Sequence, residues 1–148
     1  KANPINDYGK SKLYIENLIR KKFKKHLILR LSKIYSTNIK DKTFINSFFS
    51  NKKDYLFFDQ KAHFLNIKDF SIILKRVISM RNLIGTYNVP GKIFCSRFEF
   101  AKEILKRKNK EKNNLIKISV NKKKYLPFHL KLKTSLFKKI KYYPKFII

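Results

Sequence analysis

The chain has 148 residues, enough for one domain with a single hydrophobic core, and carries 37 Lys and Arg against 9 Asp and Glu, a formal net charge of +28. Its one cysteine, Cys95, excludes an internal disulfide and a thiolate metal cage and suits a reducing compartment, the cytoplasm by default. The longest apolar runs, such as His26 to Leu31 and Phe70 to Leu74, end well short of the ~18 to 20 residues of a membrane span, which points to a soluble protein with no membrane partner.

In chain order, apolar residues at Leu13, Ile15, Leu18, Ile19 and Phe23 recur at helical intervals between charged ones, so a helix with one buried stripe is predicted from Tyr8 to about Lys25. His26 to Tyr35 reads as one strand, dense in Leu and Ile and too short for a typical helix. A Phe-rich helix at Thr43 to Phe49 and strands at Tyr55 to Phe58 and His63 to Ile67 follow. Asp69 is placed to cap a helix running through Phe70, Ile73, Leu74, Val77 and Ile78. Thr86 to Val89 reads as a strand closed by the turn Pro90-Gly91, and Ser96 with Glu99 forms an S-x-x-E capping box for a second amphipathic helix. Leu115 to Val120 reads as a strand, Pro127 as loop or edge, and Thr134 to Ile140 as a short helix. Alternating strands and helices give an α/β class.

The positive charge would ordinarily point to nucleic acid, where clustered cations release counterions. Here Lys greatly outnumbers Arg, and Ile, Asn, Phe and Tyr are abundant, the pattern of coding sequence drifting toward A and T. The cations are also spread along the chain, although Lys106 to Lys112 and Lys122 to Lys124 are local runs, so a solvated surface is expected and no nucleic-acid partner. His26, His63 and His129 lie far apart without acidic or thiol neighbours at ligand spacing, so no metal is expected.

Tyr8 and Lys12 stand four residues apart, which on a helix places both on one face. Reducing a ketone with a nicotinamide cofactor needs hydride at carbon and a proton for the developing alkoxide. A tyrosine phenol can give that proton if an ammonium one turn away favours its phenolate and lowers a pKa ordinarily near 10. Alone the pair is weak, since a chain this rich in Tyr and Lys yields about one or two such spacings by chance.

The flanks add specificity. Pro4-Ile5-Asn6-Asp7-Tyr8-Gly9-Lys10-Ser11-Lys12-Leu13, with Glu16 after it, resembles the P-x-N-x-Y-G-x-[ST]-K-L-x-x-E segment of dTDP-4-dehydrorhamnose reductases and related extended short-chain dehydrogenases. Leu29 to Ser36 is similar to the family's L-R-[TL]-S-x-[VI]-[YF]-G, and Asp59-Gln60 with Asp69 to its D-Q-x-G-x-P-T-x-V-x-D. Gly85 to Gly91 resembles G-x-Y-[HN]-V-x-G, and Cys95 to Ala101 resembles C-S-x-x-E-F-A. The likeness is strong from Pro4 to about Leu105 and faint beyond.

The resemblance implies the C-terminal part of an NAD(P)-binding Rossmann fold with the smaller α/β substrate-binding lobe. Residues 1–41 would hold the end of the Rossmann core and 42–148 mainly the lobe. It implies Tyr8 as proton donor and cofactor contact, Lys12 as the residue on the nicotinamide ribose, NADPH or NADH as cofactor, and a nucleotide-linked 4-keto sugar as substrate. Lys33 falls where the family has a substrate-contacting Trp, which makes it a substrate-binding candidate and leaves rhamnose specificity open. The full-length form is compatible with a homodimer. With three glycines and no Gly-rich turn, the chain lacks the family's cofactor-phosphate half. Such a piece should be inactive alone and expose an apolar sheet edge. An epimerase of the same superfamily, a non-catalytic regulatory relative and a basic nucleic-acid-binding protein are the alternatives.

Overall fold

The computed structural model describes residues 2–38, 44–49, 53–110, 114–122 and 126–145. Thr43, the expected boundary at 41/42 and the ends of both lysine runs lie outside these residues.

Helix α1 (Asp7–Lys22) starts where the Asn6 side chain accepts from the Gly9 amide at 2.8 Å. Asp7 occupies its first turn and Arg20, Lys21 and Lys22 its last, the order the helix dipole favours. The expected buried stripe does not form: no residue of α1 is fully buried, and Ile15 and Leu18 remain 49% and 47% exposed. Polar bonds attach the helix instead. Glu16 accepts two bonds from Arg30, at 2.7 and 2.6 Å, and one from Arg20 at 2.6 Å; Arg20 also donates to Thr86 at 3.1 Å.

The apolar run from His26 is not one strand but two. Strand β1 (Leu27–Leu31) pairs in parallel with β5 (Gly85–Val89), Leu27 opposite Gly85 and Leu31 opposite Val89. Strand β2 (Lys33–Tyr35) leaves that sheet and pairs in parallel with β4 (Lys61–Asn66). The break falls at Ser32, whose hydroxyl accepts from the Gly91 amide at 3.1 Å. Gly91 in turn sits against β4: a Cβ there would lie 1.6 Å from the Phe64 carbonyl oxygen. The β1–β5 pair thus crosses into the second sheet at one tight point, where only glycine fits. Among the described residues β1 has no partner on its other edge.

β4 is the centre of the second sheet. Strand β6 (Ile93–Ser96) runs antiparallel along one edge; β2 and the short β8 (His129–Leu130) lie end to end along the other, β8 opposite Lys61 and Ala62, β2 opposite Phe64 to Asn66. Successive side chains of a strand point to opposite faces, and β4 uses both. Phe64 joins a cluster with Tyr35, Ile45, Phe48, Leu56, Phe100 and Ile104, its ring stacked on Phe100 at 4.0 Å. Leu65 joins the opposite one with Ile73, Val77, Val89, Leu136 and Ile140.

Helix α2 (Ile67–Ser79) and the short α4 (Leu136–Ile140) cover the second face, and α3 (Arg97–Arg107) the first, beside the parallel pair β3 (Asp54–Phe57) and β7 (Leu115–Ile118). The Phe-rich segment is a 3-10 turn, Asn46–Phe49, rather than a longer helix. Asp69 is not the cap of α2. Asn66 is, accepting from the Lys68 amide at 2.8 Å, while fully buried Asp69 accepts from the Tyr142 hydroxyl and, at 2.9 Å, from the Lys145 amide, anchoring the C-terminal segment. The Ser96–Glu99 capping box forms with both reciprocal bonds, 3.1 and 2.8 Å. Among the described residues no helix is long and apolar enough to cross a membrane.

Candidate active site

The first turns of α1 carry the pair singled out by spacing. Tyr8 is 72% exposed, and the Lys12 ammonium lies over its ring, 5.4 Å from the centroid. One turn of helix therefore places both on a common face, as i and i+4 require. Gly9 allows the approach of the preceding segment, since a Cβ there would lie 2.9 Å from Pro4 Cβ.

Tyr8 borders a cleft of about 640 Å³. Its floor follows from the sheet: β2 and β8 meet end to end along β4, and Lys33, the first residue of β2, faces the space with His129 and Leu130 of β8. Arg97 enters from the first position of α3, and Phe57 from the end of β3. Gln60 and Pro127 close one side, joined by a Gln60 side-chain amide bond to the Pro127 carbonyl at 2.8 Å. Clefts of similar size, about 630 Å³ between α2 and α4 and about 710 Å³ beside Arg20 and Arg30, hold neither Tyr8 nor Lys33. Tyr8 and Lys33 therefore share one space, and Lys12 stands beside it against the Tyr8 ring.

The electrostatics of the cleft are one-sided. Burial, with the Arg97 guanidinium adding repulsion, pushes the Lys33 ammonium down to about 8. Burial likewise lowers Arg97, whose guanidinium rests over the Phe44 ring at 5.5 Å and whose Nε is buried without a hydrogen-bond partner. Among the described residues neither cation has an ion-pair partner; the ion pairs there use Asp7, Glu16 and Glu103.

Asp59 and Gln60, quoted for the resemblance, have structural partners: the Asp59 carboxylate accepts from Ser119 and from the Val120 amide at 2.9 Å, tying the β3–β4 turn to the end of β7. Cys95, half-buried on β6, has its thiol pushed up to about 12 by burial and then by Glu99. His63 donates from Nδ1 to the Gly91 carbonyl at 2.8 Å, and burial lowers it, so it serves the sheet crossing and not the cleft. Arg97 is the site residue that periodicity did not single out. Its one local signal is a cation at the first position of a helix, where the dipole favours negative charge.

The family described as RmlD substrate binding domain matches residues 1–137. The chain belongs to this family. Three solved structures share the fold of this RmlD-family chain. A dTDP-4-dehydrorhamnose reductase from Bacillus anthracis, in complex with NADP, is 24% identical over 97% of this chain and 52% of its own, with a TM-score of 0.81. A dTDP-4-dehydrorhamnose reductase from Clostridium acetobutylicum is 21% identical over 94% and 50%, with a TM-score of 0.78. A UDP-glucuronic acid 4-epimerase from Bacillus cereus, in complex with UDP-glucuronic acid and NAD, is 22% identical over 98% and 52%, with a TM-score of 0.74. No curated protein sequence matches. The α/β architecture is therefore the Rossmann-like one of these sugar-nucleotide enzymes, and the RmlD-family chain spans about half the length of the solved structures it matches.

Proposed function

We propose that this chain supplies the proton-donating helix and the substrate-binding lobe of an NAD(P)-dependent reductase acting on a nucleotide-linked 4-keto sugar. The observation that carries the reading is Tyr8 with the Lys12 ammonium over its ring, beside a cleft of about 640 Å³. The residues fit the nicotinamide end of such a cofactor: Tyr8 and Lys12 are exposed on one helical face, with donors free to meet ribose hydroxyls. The chain's three glycines stand on α1, in β5 and in the β5–β6 turn.

When bound, the reduced nicotinamide supplies hydride to the carbonyl carbon. Tyr8 passes its phenolic proton to the carbonyl oxygen, so the ketone becomes an alcohol and the phenolate is left behind. Lys12 would stabilise that phenolate, and its remaining donors would hold the cofactor ribose. The lobe positions the sugar, and Lys33 and Arg97 form its charged wall.

The test uses a fusion in which the cofactor-phosphate half of a dTDP-4-dehydrorhamnose reductase precedes Lys1. Oxidation of NADPH or NADH dependent on a 4-keto nucleotide sugar is expected, with Tyr8→Phe slower by about 10² to 10⁴. Turnover unchanged in Tyr8→Phe rejects the mechanism. The fold shared with a UDP-glucuronic acid 4-epimerase supports a second reading, a sugar epimerase using the same pair. That reading predicts interconversion of sugars with no net oxidation of cofactor in the same assay.

A further inference from the structure

The groove of about 630 Å³ between α2 and α4 takes no part in the chemistry proposed for Tyr8. Its floor is apolar, with Ile72, Met80 and Ile140, and its rim is cationic, with Lys75, Lys139 and Lys141. Met80 and Lys139 also border a hollow of about 500 Å³ that adds Arg81, so the cationic rim continues past the end of α2. Ile72 is 40% exposed, and Ile78, one turn beyond Lys75 on the same side of α2, is 71% exposed. Arg76 belongs to the fold: it donates to the Ile140 and Lys141 carbonyls at 2.9 and 3.0 Å and so fastens the end of α4 to α2.

No carboxylate answers this charge. The sequence has no Asp or Glu between Asp69 and Glu99 and none after Glu111, so α2 beyond its first turn, β5 and α4 carry none. Asp69 is fully buried and accepts from the Tyr142 hydroxyl and the Lys145 amide. Among the described residues the ion pairs use Asp7, Glu16 and Glu103, and none involves Lys75, Arg81, Lys139 or Lys141. Because α4 packs on β5 and α2, the groove opens at the β5 side of the sheet and not at the unpaired edge of β1.

We propose that this face docks on an anionic lipid surface, with the lysine rim over the headgroups and Ile72 and Ile78 entering the headgroup boundary. Charge complementarity selects an anionic partner, since each lysine near such a surface is attracted to it. The apolar side chains select lipid over nucleic acid. They leave water on entering a bilayer interface, whereas nucleic acid calls for stacking aromatics or polar donors at these positions. The short apolar runs that led to the expectation of no membrane partner exclude a span, not adsorption to a surface.

The experiment sediments the chain with vesicles of phosphatidylcholine alone and of phosphatidylcholine mixed with phosphatidylglycerol. Wild type is compared with Lys75→Gln/Lys139→Gln/Lys141→Gln, with Ile78→Ser, and with Lys21→Gln/Lys22→Gln/Lys24→Gln, each first shown by melting to fold. The last removes the same charge near the end of α1, on the other face of the β1–β5 sheet: Arg30 bonds to α1, while its neighbour Leu29 packs in the cluster of α2. Wild type is expected to bind only the anionic vesicles. The rim variant should bind about 10² weaker, Ile78→Ser at least about fivefold weaker, and the α1 variant within about fivefold of wild type. Equal losses in the two triple variants would reduce the attraction to bulk charge and overturn the proposal. So would vesicle binding unchanged in Ile78→Ser, or no vesicle binding at all. Tighter binding to a DNA duplex than to the anionic vesicles, lost in the rim variant, would overturn it in favour of a nucleic-acid face. Tyr8→Phe should leave these affinities as in wild type, so they stand or fall apart from the reductase reading.

Discussion

Glu16→Gln tests what holds α1 on the sheet. The wild-type carboxylate is 13% exposed and receives charged bonds from Arg30 at 2.7 and 2.6 Å and from Arg20 at 2.6 Å. A hydrogen bond to a charged group contributes about 1.5 to 3 kcal/mol when buried. The two guanidinium side chains are 33% and 35% exposed, so solvent screens the attraction and the cluster as a whole is worth about 1 to 2 kcal/mol. The amide keeps the shape and one acceptor oxygen but removes the charge shared by both arginines. For a chain of this size the loss lowers Tm by roughly 3 to 6 °C. The bond from Arg30 is the largest influence on Glu16; burial opposes it, Arg20 reinforces it, and the carboxyl is held below its ordinary 4.5. Its stabilisation is therefore complete above that value and disappears as pH falls through the folded-state value, so the gap between wild type and variant closes in acid. Native-state hydrogen exchange should show α1 amides opening faster in the variant while β4 amides are unchanged. Equal protection of α1 in both proteins would refute the argument and assign the attachment to half-buried Leu13 and Ile19.

Gly91→Ala should destabilise the chain by about 3 kcal/mol or more in urea unfolding, because its Cβ would lie 1.6 Å from the Phe64 carbonyl oxygen; a loss under about 1 kcal/mol would show that the crossing can relax. Lys33, lowered from 10.5 to about 8, binds fewer protons folded than unfolded between those values, so its contribution to stability rises with pH across that window. Lys33→Met should therefore lose its advantage over wild type as pH rises from about 8 to 10.5, and a constant difference in denaturant midpoint across that range would contradict the burial argument. Cys95, with a thiol pushed up to about 12, should react with an aromatic disulfide reagent at pH 8 only after denaturant is added; prompt labelling of the folded chain would contradict its burial.

Features confined to one or two helical turns were legible in the sequence. The Ser96–Glu99 capping box formed with both bonds because its donors and acceptors lie three residues apart. The Tyr8 and Lys12 face followed from helical geometry in the same way, and the strands at β3 to β5 from their composition. Asp69 was read as a cap because the same local chemistry suits it, yet Asn66, three residues earlier, does the capping. What Asp69 does instead depends on Tyr142 and Lys145, 73 and 76 residues away in sequence, which no local pattern can announce.

Sequence by itself determined the α/β class and the common helical face of Tyr8 and Lys12, since these rest on periodicity and spacing. Tertiary structure alone decided that the run from His26 to Tyr35 divides between two sheets at Ser32, that α1 is held by Glu16 more than by an apolar stripe, and that Lys33 and Arg97 share a cleft with Tyr8. The physical reason is range. Helical faces and caps are fixed by bonds a few residues long, whereas the cleft depends on how β4 pairs with β2, β6 and β8 at once, and that register exists only in the folded chain.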